Sequence, residues 1–388
     1  MKVCIEGWRG INHSYSIVNQ WQLLNLINKN ILLRHRDVSY DSNWNTEKNH
    51  NGFSEIQNNI IENVIEKQNE NIEYDIIYRI SFPYNLLPIK RGKLFIYGTS
   101  ELLFINKTMF CNGDIAKLDE ITRIIVPSNW SKQGFINSKV REEKIIVLSH
   151  GIDPKTFYLV ENTERERFRN NFKINKDDFV ILSLGAMTRN KGVDKLLISY
   201  FLLKKKYKNL KLILKDQSNL YNLTAGHLIK ELFLTKYKNY ISDEALAGIS
   251  IISENLNLTK LHQLYTAADL YVSPYRCEGF NLPPLEAAAS GTSILVTKGG
   301  STDDYFSLTM GAQIESSLSF SGFEDNSEPW MDKEKYLEPN QESLNTEIEK
   351  SLHTKKDHFK TMESVKFIHT NFNWDIICNK LINIFEKN

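Results

Sequence analysis

Two glutamates, Glu278 and Glu286, stand with seven residues between them in the segment Glu278-Gly279-Phe280-Asn281-Leu282-Pro283-Pro284-Leu285-Glu286. Carboxylates accept hydrogen bonds from hydroxyls, so a pair at this spacing can bracket a ligand with hydroxyls at both ends, a sugar and a ribose. Gly279 has no Cβ and lets a ligand approach the backbone. Pro283 and Pro284 stiffen the loop and suit the start of a helix. The run Ala287–Ala289 continues that helix, whose N-terminus offers N–H groups and the positive end of a dipole to a diphosphate. A plainer reading makes Glu278 a loop acid and Glu286 a first-turn helix acid. It would win for an isolated pair. The context of a buried strand, Leu270 to Ser273, then a glycine loop, then a helix weighs against it.

Other residues able to do chemistry lie near expected strand ends. Lys191 precedes Gly192 at the start of a helical stretch. It is either a surface charge or the partner of an anion, since a cation beside the positive end of a helix is otherwise misplaced. Lys215 ends the strand-like run LKLIL, and strand ends face ligands in α/β folds. In GWRGINHSY, residues 7–15, Gly7 and Gly10 suggest close backbone approach. Arg9 and His13 are candidates for phosphate or acceptor contact, weighed evenly against a surface arginine and a histidine near a helix cap. The GxGxxG spacing of a dinucleotide site is absent. In IYGTSELLF, residues 96–104, Thr99, Ser100 and Glu101 follow a strand. Glu101 either orients or deprotonates an acceptor hydroxyl or charges a helix start. His150 reads as structural, holding a turn.

These residues need a scaffold, and the chain supplies an alternating one. Short apolar runs read as strands at Val3–Ile5, Ile31–Leu33, Asp75–Tyr78, Leu94–Tyr97, Ile124–Val126 and Ile145–Leu148. Ser14 is placed to cap a helix burying Ile17, Trp21 and Leu24, and Ile56, Ile60, Ile61, Val64 and Ile65 form a second helical stripe. The polar stretch Asp153 to Lys176 marks a domain junction. The alternation then restarts with strands at Phe179–Leu184, Leu210–Leu214, Ile249–Ile252, Leu270–Val272 and Ile294–Val296, and ends in a helix carrying Ile376, Ile377, Leu381, Ile384 and Phe385. Ser316 to Gln341 reads as an irregular excursion. Strand–helix alternation implies parallel sheets with helices on both faces. Two series imply two doubly wound domains, with a ligand expected in the cleft between them.

The composition is that of a soluble globular protein, 41% hydrophobic and 24% charged. With 48 Lys and Arg against 47 Asp and Glu, no basic surplus points to nucleic acid as a partner. Lys204-Lys205-Lys206 reads as a solvated helix end rather than a contact for acidic lipid. Cys4, Cys111, Cys277 and Cys378 show no CxxC spacing, which argues against a zinc site or a disulfide framework. The N-terminus opens on a strand, without signal-peptide character, and no apolar run is long enough to span a bilayer. A cytoplasmic protein is expected, with room for a peripheral contact at the cytoplasmic membrane face.

The chain resembles the retaining glycosyltransferases of the GT-B fold, especially glycosyltransferase family 4, in the glutamate pair around its Gly-Phe loop. The resemblance extends to IIVPSNWSKQGF (124–135), KIIVLSHGID (144–153), ILSLGAMTRNKGVDKLL (181–197), LYTAADLYVSPY (264–275) and KGGSTDDYF (298–306), in the family's order. It implies two Rossmann-like domains: an acceptor-side domain over 1–160, a donor domain over 161–372, and a last helix, 373–388, that packs back on the first. It implies that Glu286 binds the donor ribose and that Glu278 lies near the transferred sugar. Backbone N–H groups around Phe280, Asn281 and Leu282, together with Gly279, would meet sugar or phosphate, and Lys191 would neutralise the diphosphate. Ala186 stands where the family has an arginine, and Arg189 or Lys215 is a candidate substitute. Asn281 replaces a glycine, either to contact the donor or to fit the same turn, since asparagine tolerates left-handed backbone. Gly10, His13 and Glu101 stand as the first domain's candidates, His13 and Glu101 on the catalytic side. The implied reaction is retaining transfer of a sugar from a nucleoside-diphosphate sugar to a hydroxyl of a glycan, lipid-linked or protein acceptor. No metal or other cofactor is expected, in keeping with the missing Asp-x-Asp. A nucleotide-sugar epimerase of the same fold and a catalytically silent sugar-nucleotide binder are the alternatives.

Overall fold

The computed structural model describes residues 1–44, 46, 51–67, 71–320 and 335–388. They pack as two units. One comprises Met1–Gly151, Phe372–Asn388 and the described part of Phe320–Tyr336; the other comprises Ile152–Ser319 and Leu337–Asn371.

In the first unit the chain runs through β1 (Lys2–Gly7), α1 (Ser14–Leu26), β2 (Leu32–Asp37), α2 (Glu55–Glu62), β3 (Ile76–Ile80), β4 (Tyr84–Asn85), β5 (Lys93–Tyr97), β6 (Phe110–Asn112), β7 (Arg123–Val126), α3 (Asn129–Asn137) and β8 (Ile145–Val147). Six strands form a parallel sheet in the order β2-β1-β3-β5-β7-β8, and β4 pairs separately with β6. Every residue of β3 is buried, as expected for a parallel strand covered on both faces. Strand order reverses between β1 and β3, which puts the loop after β1 at a topological switch point. Gly7 is required there, because a Cβ would come within 2.6 Å of the Ile80 carbonyl oxygen. The cap of α1 differs from expectation. His13, not Ser14, is the N-cap, with its Nδ1 accepting from the Tyr15 N–H at 3.2 Å. The last helix belongs to this unit and packs on α1. Its Phe385 ring lies 5.0 Å from Phe95 and 5.6 Å from Tyr78.

The second unit contains α4 (Asn162–Asn171), β9 (Phe179–Gly185), α5 (Val193–Lys204), β10 (Leu210–Asp216), α6 (Ser218–Tyr221), α7 (Ala225–Leu232), α8 (Asp243–Ala247), β11 (Ile249–Ile252), α9 (Leu258–Ala267), β12 (Leu270–Ser273), α10 (Leu282–Ala289), β13 (Ser293–Thr297) and β14 (Gly311–Ile314). Two short strands, β15 (Ser316–Phe320) and β16 (Lys335–Pro339), pair with each other, followed by α11 (Gln341–His353), α12 (His358–Asn371) and the last helix, α13 (Trp374–Lys387). The expected irregular excursion is therefore bounded by paired strands; its residues 321–334 lie outside the described ones. The sheet is parallel, in the order β11-β10-β9-β12-β13-β14. Its switch point falls between β9 and β12, so the loops after Gly185 and Ser273 are where a ligand is expected. Both loops carry residues singled out above.

Candidate active site

The loop after β9 makes one 3₁₀ turn, Arg189–Lys191, and ends at Gly192 with φ +66°. A Cβ at Gly192 would lie 1.9 Å from the Pro274 carbonyl oxygen, so glycine is what lets this turn press against the end of β12. Arg276 ties the turn down. Its guanidinium is buried, donates to the Arg189 carbonyl at 2.8 Å, forks onto both oxygens of Asp194 at 2.7 and 2.8 Å, and reaches Glu338 at 2.9 Å. Its backbone N–H donates to the Asn190 carbonyl at 2.7 Å. The result places the Lys191 ammonium in an ion pair with Glu278, whose residue is 6% exposed. The structure thus brings together Lys191 and Glu278, eighty-seven positions apart in the chain.

The loop after β12 turns into α10 through Asn281, which sits in the left-handed region at φ +65° and ψ 70°. This asparagine fits the left-handed turn. Its Nδ2 donates to Ser273 Oγ at 2.9 Å, and its carbonyl accepts from Tyr305 OH at 2.7 Å. The side chain of Asn281, the N-cap residue, does not cap α10. Pro283 and Pro284 fill the second and third helical positions and carry no N–H. The amide donors at this helix start are therefore fewer than a helix N-terminus normally offers, and the Leu282 N–H leads them.

Glu286 is not in the first helical turn, contrary to the plainer expectation. It is 6% exposed, and its Oε2 accepts from Tyr265 OH at 2.9 Å. Burial pushes its carboxyl up to about 7, against the opposing pull of the Tyr265 hydrogen bond. A raised folded-state value means that, between the ordinary carboxyl range and about pH 7, the unfolded chain has released a proton that the folded chain keeps. The stability from the neutral carboxyl is whole below about pH 4.5 and is lost as pH rises through about 7. The ligand-free protein should lose roughly 3 kcal/mol of unfolding free energy from this group across that window. Glu286→Gln should flatten that part of the profile, as read by denaturant melts at stepped pH. An identical slope in the variant would remove Glu286 as its source.

The remaining second-unit candidates sit as follows. Arg189 is exposed on the 3₁₀ turn, next to Asn190. Ala186 is buried. Lys215 is buried at the end of β10, its Nζ donating to the Asp216 carbonyl, and burial pulls its ammonium down to about 8 despite Asp216 and Glu254. Gly279 and Phe280 lie in the loop between Glu278 and α10, with the Phe280 ring 5.2 Å from that of Tyr305.

In the first unit Gly10 has φ +85°, and its N–H donates to Gln20 Oε1 at 3.2 Å. His13 stacks on Trp44 at 4.8 Å and meets Trp8 edge-on at 5.1 Å. Arg9 is engaged with Asp37 at 2.7 Å and Glu62 at 2.5 Å. Glu101 is exposed in a bend rather than at a helix start, its carbonyl accepting from Trp130 Nε1 at 2.8 Å. His150 is buried between Tyr97 and Trp374; its Nε2 shares a 2.7 Å hydrogen bond with Tyr97 OH, and burial lowers it to about 3. Among the described residues, no group of three or more His, Cys, Asp or Glu side chains is placed to hold a metal ion.

The sequence singles out Lys191, Glu278 and Glu286 but not Arg276, Tyr265 and Asp194, which hold them in place. Arg276 had one legible signal, its position two residues before Glu278 in a loop that ends a buried strand.

The family model for glycosyl transferases group 1 matches residues 164–357, half of the chain, including the two second-unit loops that carry Lys191 and Glu278. Mannosylfructose-phosphate synthase of Agrobacterium fabrum is 27% identical over 161 residues, 41% of this chain and 33% of that protein. The capsular polysaccharide biosynthesis glycosyltransferase CapM of Staphylococcus aureus is 28% identical over 217 residues, 54% of this chain and 48% of that protein. The chain thus matches half or less of the length of these curated relatives. Among solved structures, HepE of Anabaena in complex with UDP-glucose superposes with a TM-score of 0.68 at 14% identity, covering 100% of both chains. That likeness is one of fold, the GT-B fold of two Rossmann-like domains. The chain belongs to the group 1 glycosyl transferases.

Proposed function

We propose that this protein transfers a sugar from a nucleoside-diphosphate sugar to an acceptor hydroxyl, with retention of anomeric configuration and without a metal ion. The observation that carries this reading is the meeting, at the switch point of the second sheet, of a cation, an uncapped helix start and two buried carboxylates. The Lys191 ammonium and the head of α10 suit a diphosphate. The Glu286 carboxylate suits the vicinal hydroxyls of a ribose, which supply donors to the oxygen Tyr265 leaves open. Glu278 lies beside Lys191, where a transferred sugar attached to the diphosphate would sit. HepE, of the same fold, has been crystallised with UDP-glucose, which supports this choice of donor class.

The chemistry assigned to these residues is electrostatic. As the glycosidic bond breaks, negative charge grows on the leaving diphosphate, and a fixed cation and helix dipole hold it better than they hold the ground state. The leaving diphosphate then helps take the acceptor proton, so no covalent carboxylate intermediate is needed. Acceptor recognition is assigned to the first unit, on the switch-point loop with Gly10 and His13 and on the loop with Glu101.

The test is release of nucleoside diphosphate from a panel of UDP-, GDP- and ADP-sugars, with and without candidate acceptors, the product anomer being read by NMR. Slow release accelerated by one acceptor, with an anomer matching the donor, is expected. Conversion of the donor without an acceptor would make the protein an epimerase. Complete inertness across the panel would make it a silent binder.

A further inference from the structure

The second unit carries an apolar tip that its own core does not use. Helix α7 buries Ala225, Ile229 and Leu232 in the core of the unit. The chain then turns over Phe233 and Leu234, which are 43% and 89% exposed, and Leu223 before the helix is exposed as well. Exposing adjacent large apolar side chains at a turn has a cost in water and no return within this unit. The surroundings of the tip are cationic. Lys230 on α7 and Lys236 and Lys238 on the 3₁₀ turn Lys236–Tyr240 are exposed, and none forms an ion pair among the described residues. Lys205 joins them from the C-cap of α5, its Nζ 4.3 Å from the Tyr240 ring and donating to the Asn239 carbonyl at 3.3 Å. The nearby acid, Glu231, is engaged with His227 at 3.2 Å. Tyr237 and Tyr240 are half-buried beside these lysines, amphipathic rings of the kind that settle at a lipid–water boundary.

We infer that this tip is a docking surface for an anionic lipid bilayer: Phe233 and Leu234 enter the interface, and Lys205, Lys230, Lys236 and Lys238 meet the headgroups. The apolar residues are consecutive at a protruding turn, not spread along a groove that would cradle a peptide. The rim is cationic on balance, four lysines against Glu231, which matches anionic headgroups and repels a second copy of the same surface. No helix among the described residues is long and apolar enough to cross a membrane, so the contact is superficial.

Vesicle flotation tests this with the full chain, using phosphatidylcholine vesicles and vesicles of equal parts phosphatidylcholine and phosphatidylglycerol. Binding to the anionic vesicles alone, weakening as salt is raised, is expected. Phe233→Ser with Leu234→Ser should lower that binding about tenfold or more. Lys230→Glu with Lys236→Glu and Lys238→Glu should abolish the preference for anionic lipid. All five positions are exposed, and unchanged thermal melts would show that the variants fold. Equal flotation of wild type and variants would overturn the inference. So would a lipid-free dimer that the serine variant dissociates, because the tip would then belong to a second copy of the chain.

Discussion

Replacing Lys191 by alanine is expected to lower sugar-transfer turnover by about tenfold or more, a rise in barrier of roughly 1.4 kcal/mol or greater. The ammonium is held by the Glu278 carboxylate and its backbone is fixed by the turn that ends at Gly192, so it does not have to be recruited as charge develops. A cation fixed in advance acts most strongly where charge grows, so the loss should fall on kcat more than on KM. Alanine also leaves the Glu278 carboxylate, on a residue only 6% exposed, without its cation. Because the Lys191 side chain is 27% exposed, solvent screens part of that cost, and about 1–3 kcal/mol of stability should go with it. Combining Lys191→Ala with Glu278→Gln separates the two effects. The added substitution should restore much of the melting temperature and none of the turnover. An unchanged rate in the single variant with its cognate donor would take Lys191 out of the site.

Gly192→Ala is expected to damage the protein more than its size suggests. The new methyl would stand 1.9 Å from the Pro274 carbonyl oxygen, a contact with backbone that no side-chain rotation relieves, and φ is +66°. Left-handed backbone alone costs a residue with a Cβ about 1 kcal/mol, and forcing apart the β9 turn and the end of β12 raises the total to roughly 2–4 kcal/mol. The same shift moves Lys191 away from Glu278, so turnover should fall even where the variant remains folded. Denaturant melts read the first effect, and rates below the unfolding transition read the second. A variant with wild-type stability would mean that the turn does not press on Pro274.

The alternation of strands and helices was legible because parallel strands covered on both faces read as nearly continuous apolar runs, as at 76–78 in β3, 179–182 in β9 and 270–272 in β12. What stayed hidden is held by polar contacts. Helix α4 lies inside the stretch read as a junction because it docks through Arg165 and Arg169, which reach Asp269 at 2.7 and 3.0 Å and the carbonyls of Thr266 and Ala267. Of its side chains, Phe168 and Arg169 are buried, too few to give a periodic apolar face. Strand β14, Gly-Ala-Gln-Ile, buries one residue of four and carries no run to detect. The glutamate pair was legible from spacing and flanking pattern, but its supports were not. Arg276 and Asp194 lie close in sequence to Glu278 and Lys191, but only the fold pairs them with each other across the Lys191 turn, as it brings Tyr265 to Glu286. His13 was open to two readings from sequence, an acceptor contact and a histidine near a helix cap. The structure shows it capping α1 and stacking on Trp44, and its acceptor role stands as the proposal made above.

The central claim is that Glu286, the head of α10 and Lys191 hold a nucleoside diphosphate through its ribose and phosphates. Calorimetric titration of the wild type and Glu286→Ala with UDP, GDP, ADP and their sugars tests it most directly. One nucleotide class should saturate a single site on the wild type, with affinity falling as pH drops below about 7, because ribose hydroxyls donate to the ionised carboxylate. In Glu286→Ala that affinity should drop about tenfold or more, the loss expected when hydroxyls lose a buried charged acceptor. Equal affinity in the two proteins, or no binding of any member of the panel to the wild type, would contradict the account.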